Sequence, residues 1–243
     1  MKAKFMPCGD CGITVNFGSE INEQTNKKVT AFTAAAESAG IEGVIEFIPA
    51  FCSATVIYDP LKTTQKELIK ELKKALKHTD SGSAFKPMLY KIPVCYDEEF
   101  SPDIESIEKI TGLSRDEIID IHTSRDYPIY MLGFLPGFAY LGDMDERIAA
   151  PRLETPRVKI PRGSVGIGGS QTGIYPSDSP GGWRLIGKTP VRVYDSRKES
   201  PILYRAGDYI RFVKITKEEY FKLEKECESG NYTAECEEVR RGN

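Results

Sequence analysis

The chain has 243 residues, of which 40% are hydrophobic and 28% charged, and its formal net charge is −3 at pH 7. This composition is typical of a globular protein with one large domain or two ordinary ones, long enough to bury a sizeable core. The charge balance lacks the basic excess of nucleic-acid-binding proteins. No apolar run approaches the ~20 residues of a membrane-spanning helix, and the first residues lack the apolar stretch of a signal peptide. We therefore expect a cytoplasmic protein that binds neither nucleic acid nor membrane.

The first part of the chain, residues 1–85, alternates β-rich runs with helical patterns. A first helix follows the first β-rich run and ends near Gly40, a residue suited to a left-handed C-terminal cap. A second helix begins at Thr64, where Glu67 completes a capping box. Two helices on one face of an antiparallel sheet predict an α+β sandwich, close to ferredoxin-like. The β-rich runs cover residues 13–17, 44–48 and 54–58.

The second part, residues 86–227, consists mainly of short apolar runs separated by turns, after a polar Gly/Ser-rich linker at 78–83. Such spacing predicts a mainly-β domain built as a closed or nearly closed barrel. The segment 228–243 is charged and lacks periodicity, so we expect a frayed C-terminal tail. The apolar runs cover residues 89–96, 129–132, 165–168, 183–186, 191–194 and 209–215. The predicted helix starts are Ser101, Ser114 and Thr216.

The six cysteines are expected to be free thiols, because the sequence shows no export signal. Cys8 and Cys11 have CxxC spacing, but a thioredoxin-type redox pair needs a helix after it, and residues 12–17 read as a strand. A structural zinc site would need two further ligands, and Cys52 and Cys95 show no paired spacing. The sequence therefore gives no evident metal site.

Residues 182–189 satisfy the phosphate-loop expression GxxxxGK[ST]. That motif binds phosphate at the N-terminus of a helix that follows a glycine-rich loop. Here the intervening Trp-Arg-Leu-Ile favours a strand, and Pro190 follows Thr189 directly. We therefore predict that Lys188 does not bind ATP. The GxSxG elbow of serine hydrolases is absent from the sequence.

The stretch from Gly133 to Gly187 holds 11 of the 21 glycines and 6 of the 15 prolines. It also holds large aromatic side chains, which disordered segments usually lack. Rings beside backbone-permissive residues predict loops packed into a fixed shape, as a ligand cleft requires. The corners of a compact β-barrel would give the same composition. The aromatic residues are Phe134, Phe138, Tyr140, Tyr175 and Trp183.

The stretch contains a series of motifs in a fixed order: Gly133-Phe-Leu-Pro-Gly-Phe138, Tyr140-Leu-Gly142, Pro151-Arg152, Pro156-Arg157, Gly163-Ser164-Val165, Gln171-Thr-Gly-Ile-Tyr-Pro176 and Pro180-Gly-Gly-Trp183. In this order the motifs resemble the allophanate hydrolase subunit 1 family, which includes the B subunit of 5-oxoprolinase and an inhibitor of a histidine kinase. The resemblance extends upstream through His122 and more weakly to Gly9-Asp10.

The resemblance implies a cyclophilin-like barrel in the second part and a subunit of an ATP-dependent 5-oxoprolinase. That complex opens the lactam of 5-oxo-L-proline to L-glutamate. The implied partners are its carboxyltransferase-like C subunit and its A subunit, with a composite site between this chain and the C subunit. ATP is used by the complex rather than bound by this chain alone. Two alternatives are a regulatory protein that binds a sporulation-type histidine kinase and a carboxyltransferase-like half of a urea-processing carboxylase.

The resemblance also includes His122, which we predict to be the catalytic proton carrier; a cap at the C-terminus of a surface helix is the alternative. Arg152 and Arg157 are predicted to clamp a carboxylate, because guanidinium groups bind that anion bidentately; a solvated basic loop would show the same spacing.

Further substrate-binding residues are predicted in the same stretch. Gln171, Thr172 and Tyr175 offer the donors and acceptors that recognise a lactam edge. Trp183 either contacts the substrate or fills the barrel core. The loops that shape the site are predicted to include Gly133, Phe134, Pro136, Gly137, Phe138, Pro176, Gly181 and Gly182.

Overall fold

The computed structural model describes residues 3–79 and 86–239. Contacts between residues divide the chain into two compact units, Met1–Lys86 and Pro87–Asn243. Of the predicted linker 78–83, residues 80–83 lie outside the described residues, and His78 caps the C-terminus of the helix before it. Within the described parts of the chain, no helix is long and apolar enough to cross a membrane.

The first unit is an antiparallel sheet with two helices. The sheet order is β1-β2-β4-β3, and the strand β1 was not predicted. Val29 and Phe32 of the first helix and Leu68 and Leu72 of the second are fully buried in one core with the sheet. The capping box of Thr64 is present as predicted. The elements are β1 (Lys4–Pro7), β2 (Gly12–Asn16), α1 (Glu23–Ser38), β3 (Val44–Pro49), β4 (Ser53–Tyr58) and α2 (Gln65–Lys77).

The second unit contains thirteen labelled helices and strands among the described residues, and most of its strands join one sheet. Its first elements are β5 (Met88–Cys95), α3 (Ile104–Thr111), α4 (Arg115–Thr123), β6 (Tyr127–Leu132), β7 (Ala139–Leu141), β8 (Arg157–Ile160) and β9 (Ser164–Gly168). The remaining elements are β10 (Gln171–Ile174), β11 (Ser179–Gly181), β12 (Arg184–Lys188), β13 (Tyr209–Ile215), α5 (Lys217–Glu228) and β14 (Glu235–Glu238).

The main sheet of the second unit has the order β10-β9-β12-β5-β13-β6-β7 and nearly closes into a barrel. Its two end strands, β10 and β7, lie close to each other. A Cβ built on Gly173 of β10 would lie 3.3 Å from the carbonyl oxygen of Ala139 in β7. The pair β5–β13 is parallel, and β8 and β11 form a separate two-stranded sheet. This architecture confirms the predicted order of fold classes, an α+β unit followed by a mainly-β, barrel-like unit.

The predicted frayed tail is wrong for residues 228–239. Helix α5 extends through Glu228, and β14 pairs antiparallel with the first half of β5, with Glu235 opposite Lys91. The reason is that β12 pairs with β5 only at Cys95, which leaves the first half of that edge of β5 open to a further strand. An ion pair of 2.5 Å between Lys91 and Glu235 joins the two strands.

Two smaller predictions also differ from the structure. The α3 helix begins after Asp103 rather than Ser101, whose hydroxyl donates to the carbonyl oxygens of Tyr96 and Asp97 and therefore belongs to the preceding turn. The predicted strand 191–194 forms only an isolated bridge between Tyr194 and Ile202, because the backbone there pairs irregularly with the following loop. By contrast, the capping boxes that begin α4 and α5 are present as predicted.

Candidate functional site

The glycine-rich stretch surrounds a buried aromatic cluster, which we define as Phe138, Tyr175 and Trp183. The ring of Phe138 packs edge-on against the other two, with centroid distances of 5.8 Å to Tyr175 and 5.5 Å to Trp183. Burial raises the pKa of the Tyr175 hydroxyl, while the nearby charges of Arg152 and Arg157 oppose the shift. The cluster is thus part of a packed core, and its polar group faces two arginines.

Glycines make room for these rings. A Cβ built on Gly168 would overlap the Trp183 indole, and one built on Gly173 would lie 3.1 Å from the same ring. A Cβ on Gly181 would lie 2.5 Å from the Tyr175 hydroxyl oxygen. All three glycines lie in strands, β9, β10 and β11, so the packing of strands against these rings explains part of the glycine content, and the ligand cleft stays a prediction.

The loop between β6 and β7 exposes one ring, Phe134, which packs edge-on against Phe138 with a centroid distance of 5.5 Å. Phe134 is 62% exposed and has φ +67°, a left-handed conformation that few non-glycine residues adopt. The loop is closed by hydrogen bonds from the Gly133 N–H to the Phe138 carbonyl and from the Phe138 N–H to the Leu135 carbonyl. The Tyr204 hydroxyl donates to the Gly137 carbonyl at 2.9 Å. The strained, well-anchored backbone presents Phe134 as a fixed apolar projection, the kind of feature that occurs at binding sites.

The structure places His122 inside the barrel core rather than at a surface cap. Its side chain is fully buried, and its ring stacks on Phe212 with a centroid distance of 4.5 Å. Burial lowers the pKa of His122 to about 3, so the imidazole is neutral at physiological pH. The alternative interpretation, a cap at the C-terminus of a surface helix, is wrong, because the last turn of α4 faces the core.

Hydrogen bonds determine which nitrogen of His122 carries the proton. The Thr172 hydroxyl donates its only proton to the Gly166 carbonyl at 3.1 Å, so it accepts from Nε2–H of His122 at 2.8 Å. Nδ1 then accepts the Tyr96 hydroxyl proton at 2.8 Å. Both ring nitrogens are therefore occupied by protein groups, and this arrangement favours a structural role. The catalytic role stays an untested prediction.

The two predicted arginines differ in what they contact. The guanidinium of Arg157 binds Asp103 bidentately, with N–O distances of 2.7 and 2.8 Å. Asp103 also accepts the Leu185 backbone N–H at 2.7 Å, so the pair ties α3 to β8 and β12. Arg152 is exposed and makes no hydrogen bond or ion pair within the described residues. Of the two, Arg152 is therefore the one whose guanidinium is available to an external carboxylate.

The other predicted residues divide between the surface and the interior. Gln171 is half-buried and pairs with Gly168 across β9 and β10, beside the Trp183 indole. We define the exposed rim as Phe134, Arg152 and Gln171, the predicted residues that border the aromatic cluster and reach solvent. Gly133, Pro136, Gly181 and Gly182 are also at least partly exposed, whereas Gly137, Thr172 and Pro176 are buried.

Lys188 lies at the end of β12, and its ammonium group is 5.8 Å from the ring centroids of both Phe100 and Tyr220. The expression GxxxxGK[ST] therefore falls on a strand, as the sequence analysis predicted, and not at the start of a helix. Among residues 3–79 and 86–239, no cluster of three or more His, Cys, Asp or Glu side chains is placed to hold a metal ion.

Sequence reasoning missed two residues that organise the site. Asp103 anchors Arg157 from 54 positions away, a long-range pairing that leaves no local pattern. Tyr96, directly after β5, supplies the second partner of His122. The burial of His122 did have a signal, because it lies four residues after the buried Ile118 and thus on the same helix face.

Comparisons with known proteins agree with this architecture. Residues 3–204 match the family described as carboxyltransferase domain, subdomain C and D. The chain is 44% identical over 228 residues to the 5-oxoprolinase B subunit of Bacillus subtilis, covering 90% of this chain and 95% of that protein. It is 33% identical to the 5-oxoprolinase B subunit of Escherichia coli O157:H7, covering 87% and 96%.

Among solved structures, the protein TTHA0988 matches with a TM-score of 0.75 and 33% identity, over 84% of this chain and 40% of its own length. This chain thus spans about two fifths of TTHA0988 but nearly all of the two B subunits. The chain belongs to the carboxyltransferase subdomain C and D family, together with the B subunits of 5-oxoprolinase.

Proposed function

We propose that this chain is a subunit of an ATP-dependent 5-oxoprolinase complex that converts 5-oxo-L-proline to L-glutamate. The observation that carries the proposal is its identity to 5-oxoprolinase B subunits over nearly the full length of both chains. The proposed partners are the carboxyltransferase-like C subunit and the A subunit of that complex.

The distribution of polar groups supports a site shared with a partner. Most of the predicted substrate-binding groups are engaged inside the unit, since Arg157 binds Asp103 and Thr172 binds His122. The exposed rim offers one guanidinium, one amide and one apolar ring. These three groups are too few to surround a lactam and a triphosphate, so we propose that the C subunit supplies the opposite wall. Phe134 then contacts the partner, because an exposed ring on a rigid loop suits a protein interface.

Each rim residue has a role in this proposal that its chemistry allows. In the reaction, ATP transfers its γ-phosphoryl group to the lactam oxygen and leaves as ADP. Water then adds to the lactam carbon, the C–N bond breaks, and a second water hydrolyses the resulting acyl phosphate to L-glutamate and inorganic phosphate. Arg152 binds the ring carboxylate through its planar fork, and Gln171 pairs with the lactam edge as both donor and acceptor. His122 acts as a positioning residue that holds Thr172, the neighbour of Gln171 on β10.

We also propose a finer classification of the two units. The order β1-β2-β4-β3 with both helices in one core supports a ferredoxin-like label, with β1 in the place of the last strand. The nearly closed sheet of short strands supports a cyclophilin-like label for the second unit.

The role of Arg152 is tested by replacing it with lysine and assaying the complex with the A and C subunits. A lysine cannot form the bidentate fork, and losing one charged hydrogen bond of about 1.5–3 kcal/mol lowers kcat/KM about ten- to a hundredfold or more. Arg147→Lys is the matched control, since Arg147 is exposed and pairs with Asp145 instead. Unchanged kcat/KM in Arg152→Lys would remove Arg152 from the substrate site.

The variant Arg157→Lys distinguishes the role of Arg157 from that of Arg152. Its guanidinium binds Asp103, so we expect a lower urea midpoint for the isolated chain and a smaller effect on kcat/KM than that of Arg152→Lys. An unchanged midpoint together with a large loss of kcat/KM would restore Arg157 to the carboxylate clamp predicted from sequence.

A further inference from the structure

The hairpin loop that joins β1 to β2 carries two exposed thiols, Cys8 and Cys11. The remaining cysteines are unlike them. Cys95 and Cys227 are buried, and burial raises the pKa of both thiols. The half-buried Cys52 thiol donates to the Glu20 carbonyl oxygen. Cys236 is exposed but stands alone on β14. Only the β1–β2 loop therefore presents two thiols three residues apart.

The backbone of this loop brings the two cysteines together. The Cys8 N–H donates to the Gly12 carbonyl at 2.8 Å, which closes the loop directly after the Pro7–Ile13 pair. Gly9 has φ +67°, which allows the tight reversal. A Cβ built on Gly12 would lie only 3.2 Å from the Cys8 Cβ. The Cys8 side chain is therefore directed toward the returning strand, beside the residue that follows Cys11.

Contacts from β4 hold the far side of the loop in place. Tyr58 is buried, its hydroxyl donates to the Asp10 carbonyl at 3.1 Å, and its backbone N–H donates to the Cys11 carbonyl at 2.9 Å. Residues at positions i and i+3 of a tight turn have Cα atoms within about 7 Å of each other. Disulfides span Cα separations of about 4.4–6.8 Å, and a loop that closes between Cys8 and Gly12 keeps Cys8 and Cys11 close to that range.

We propose that Cys8 and Cys11 form a reversible intramolecular disulfide when the protein meets a low-molecular-weight disulfide such as oxidised glutathione. One cysteine thiolate attacks the disulfide, its S–S bond breaks, and one glutathione thiolate leaves. The second cysteine thiolate then attacks the sulfur of its neighbour and releases the other glutathione thiolate. The dithiol loses two electrons and two protons, and the oxidant becomes two thiols.

This site differs from a thioredoxin active site. In thioredoxin-type pairs the CxxC motif opens a helix that stabilises a thiolate at its N-terminus, whereas here the chain continues directly into the strand β2. The pair is therefore a modification site that responds to the redox state of its surroundings, not an oxidoreductase centre. The proposal is independent of the 5-oxoprolinase function, since it concerns the first unit only.

The experiment equilibrates the reduced full-length chain with graded ratios of reduced to oxidised glutathione and blocks remaining thiols with N-ethylmaleimide. Trypsin then releases residues 5–27, which contain both cysteines and no other cleavage site. Cys236 in the same sample is the internal control, as an exposed thiol without a partner cysteine. The variants Cys8→Ser and Cys11→Ser leave one thiol in the loop.

We expect the 5–27 peptide to carry an internal disulfide at oxidised glutathione levels at least tenfold below those that half-modify Cys236. In each serine variant the remaining loop cysteine should form only a mixed disulfide, at the level that modifies Cys236. Three results would each overturn the proposal. The peptide could carry two separate glutathione groups, it could carry two maleimide groups under conditions in which Cys236 is already modified by glutathione, or the chain could form a disulfide-linked dimer.

Discussion

Replacing His122 with alanine tests whether this histidine supports the barrel or performs chemistry. The substitution deletes a fully buried ring that stacks on Phe212 and accepts the Tyr96 hydroxyl proton. Truncating a buried aromatic side chain to alanine typically costs about 3–5 kcal/mol. Leaving the Tyr96 hydroxyl without an acceptor costs about 1–3 kcal/mol, but this overlaps with the first cost because water can enter the new cavity. We therefore expect the free energy of unfolding to fall by about 3–5 kcal/mol in total.

The assay is urea unfolding followed by tryptophan fluorescence, because Trp183 is the only tryptophan and lies in the second unit with His122. Asp120→Ala is the matched control, since Asp120 is exposed on the same helix, and surface substitutions usually change stability by less than about 0.5 kcal/mol. A helix-cap role for His122 would instead cost only about 0.3–1 kcal/mol. A loss within that range, accompanied by a large loss of activity in the complex, would refute the structural role and support the predicted catalytic one.

Three further predictions concern pH, packing and nucleotide binding. The pKa of His122 is about 3 in the folded protein and near 6.5 in the unfolded chain, so between these values the unfolded chain binds one proton more. The free energy of unfolding should therefore fall by about 1.4 kcal/mol for each pH unit from about pH 6 down to 3. Urea titrations of His122→Ala should lack this component of the pH dependence. Gly168→Ala should lower the free energy of unfolding by about 1–3 kcal/mol, because its Cβ would overlap Trp183. Gly182→Ala should leave the urea midpoint nearly unchanged, because its Cβ would meet other atoms only at 3.7 Å or beyond. Equal midpoints for the two variants would contradict the packing argument. Lys188→Ala should leave the ATP affinity of the complex unchanged in a nucleotide titration, and a selective loss would restore the phosphate-loop interpretation.

Local signals in the sequence predicted the local structure well. The capping boxes at Thr64, Ser114 and Thr216 are present because a cap depends only on residues within one helical turn. The strand at residues 184–188 was also predictable, since Trp-Arg-Leu-Ile favours extended backbone and Pro190 disfavours helical backbone at Thr189, the residue before it.

Features that depend on distant partners were not predictable in this way. Strand β14 is rich in glutamate, and only the open edge of β5, more than 140 residues earlier, explains why it pairs. The Arg157–Asp103 pair was not predictable for the same reason, and the role of Arg157 in a substrate clamp stays a prediction. The motifs of the glycine-rich stretch could be recognised from the sequence. Which of its residues reach solvent could be seen only in the packed structure.

The most direct test of the account is an omission assay for glutamate formed from 5-oxo-L-proline in the presence of ATP. The assay compares this chain alone, the A and C subunits without it, and all three together. We predict sustained glutamate formation only in the complete mixture, because the exposed rim supplies part of a site. Full ATP-dependent activity from the chain alone, or from the A and C subunits without it, would contradict the proposal of a shared site.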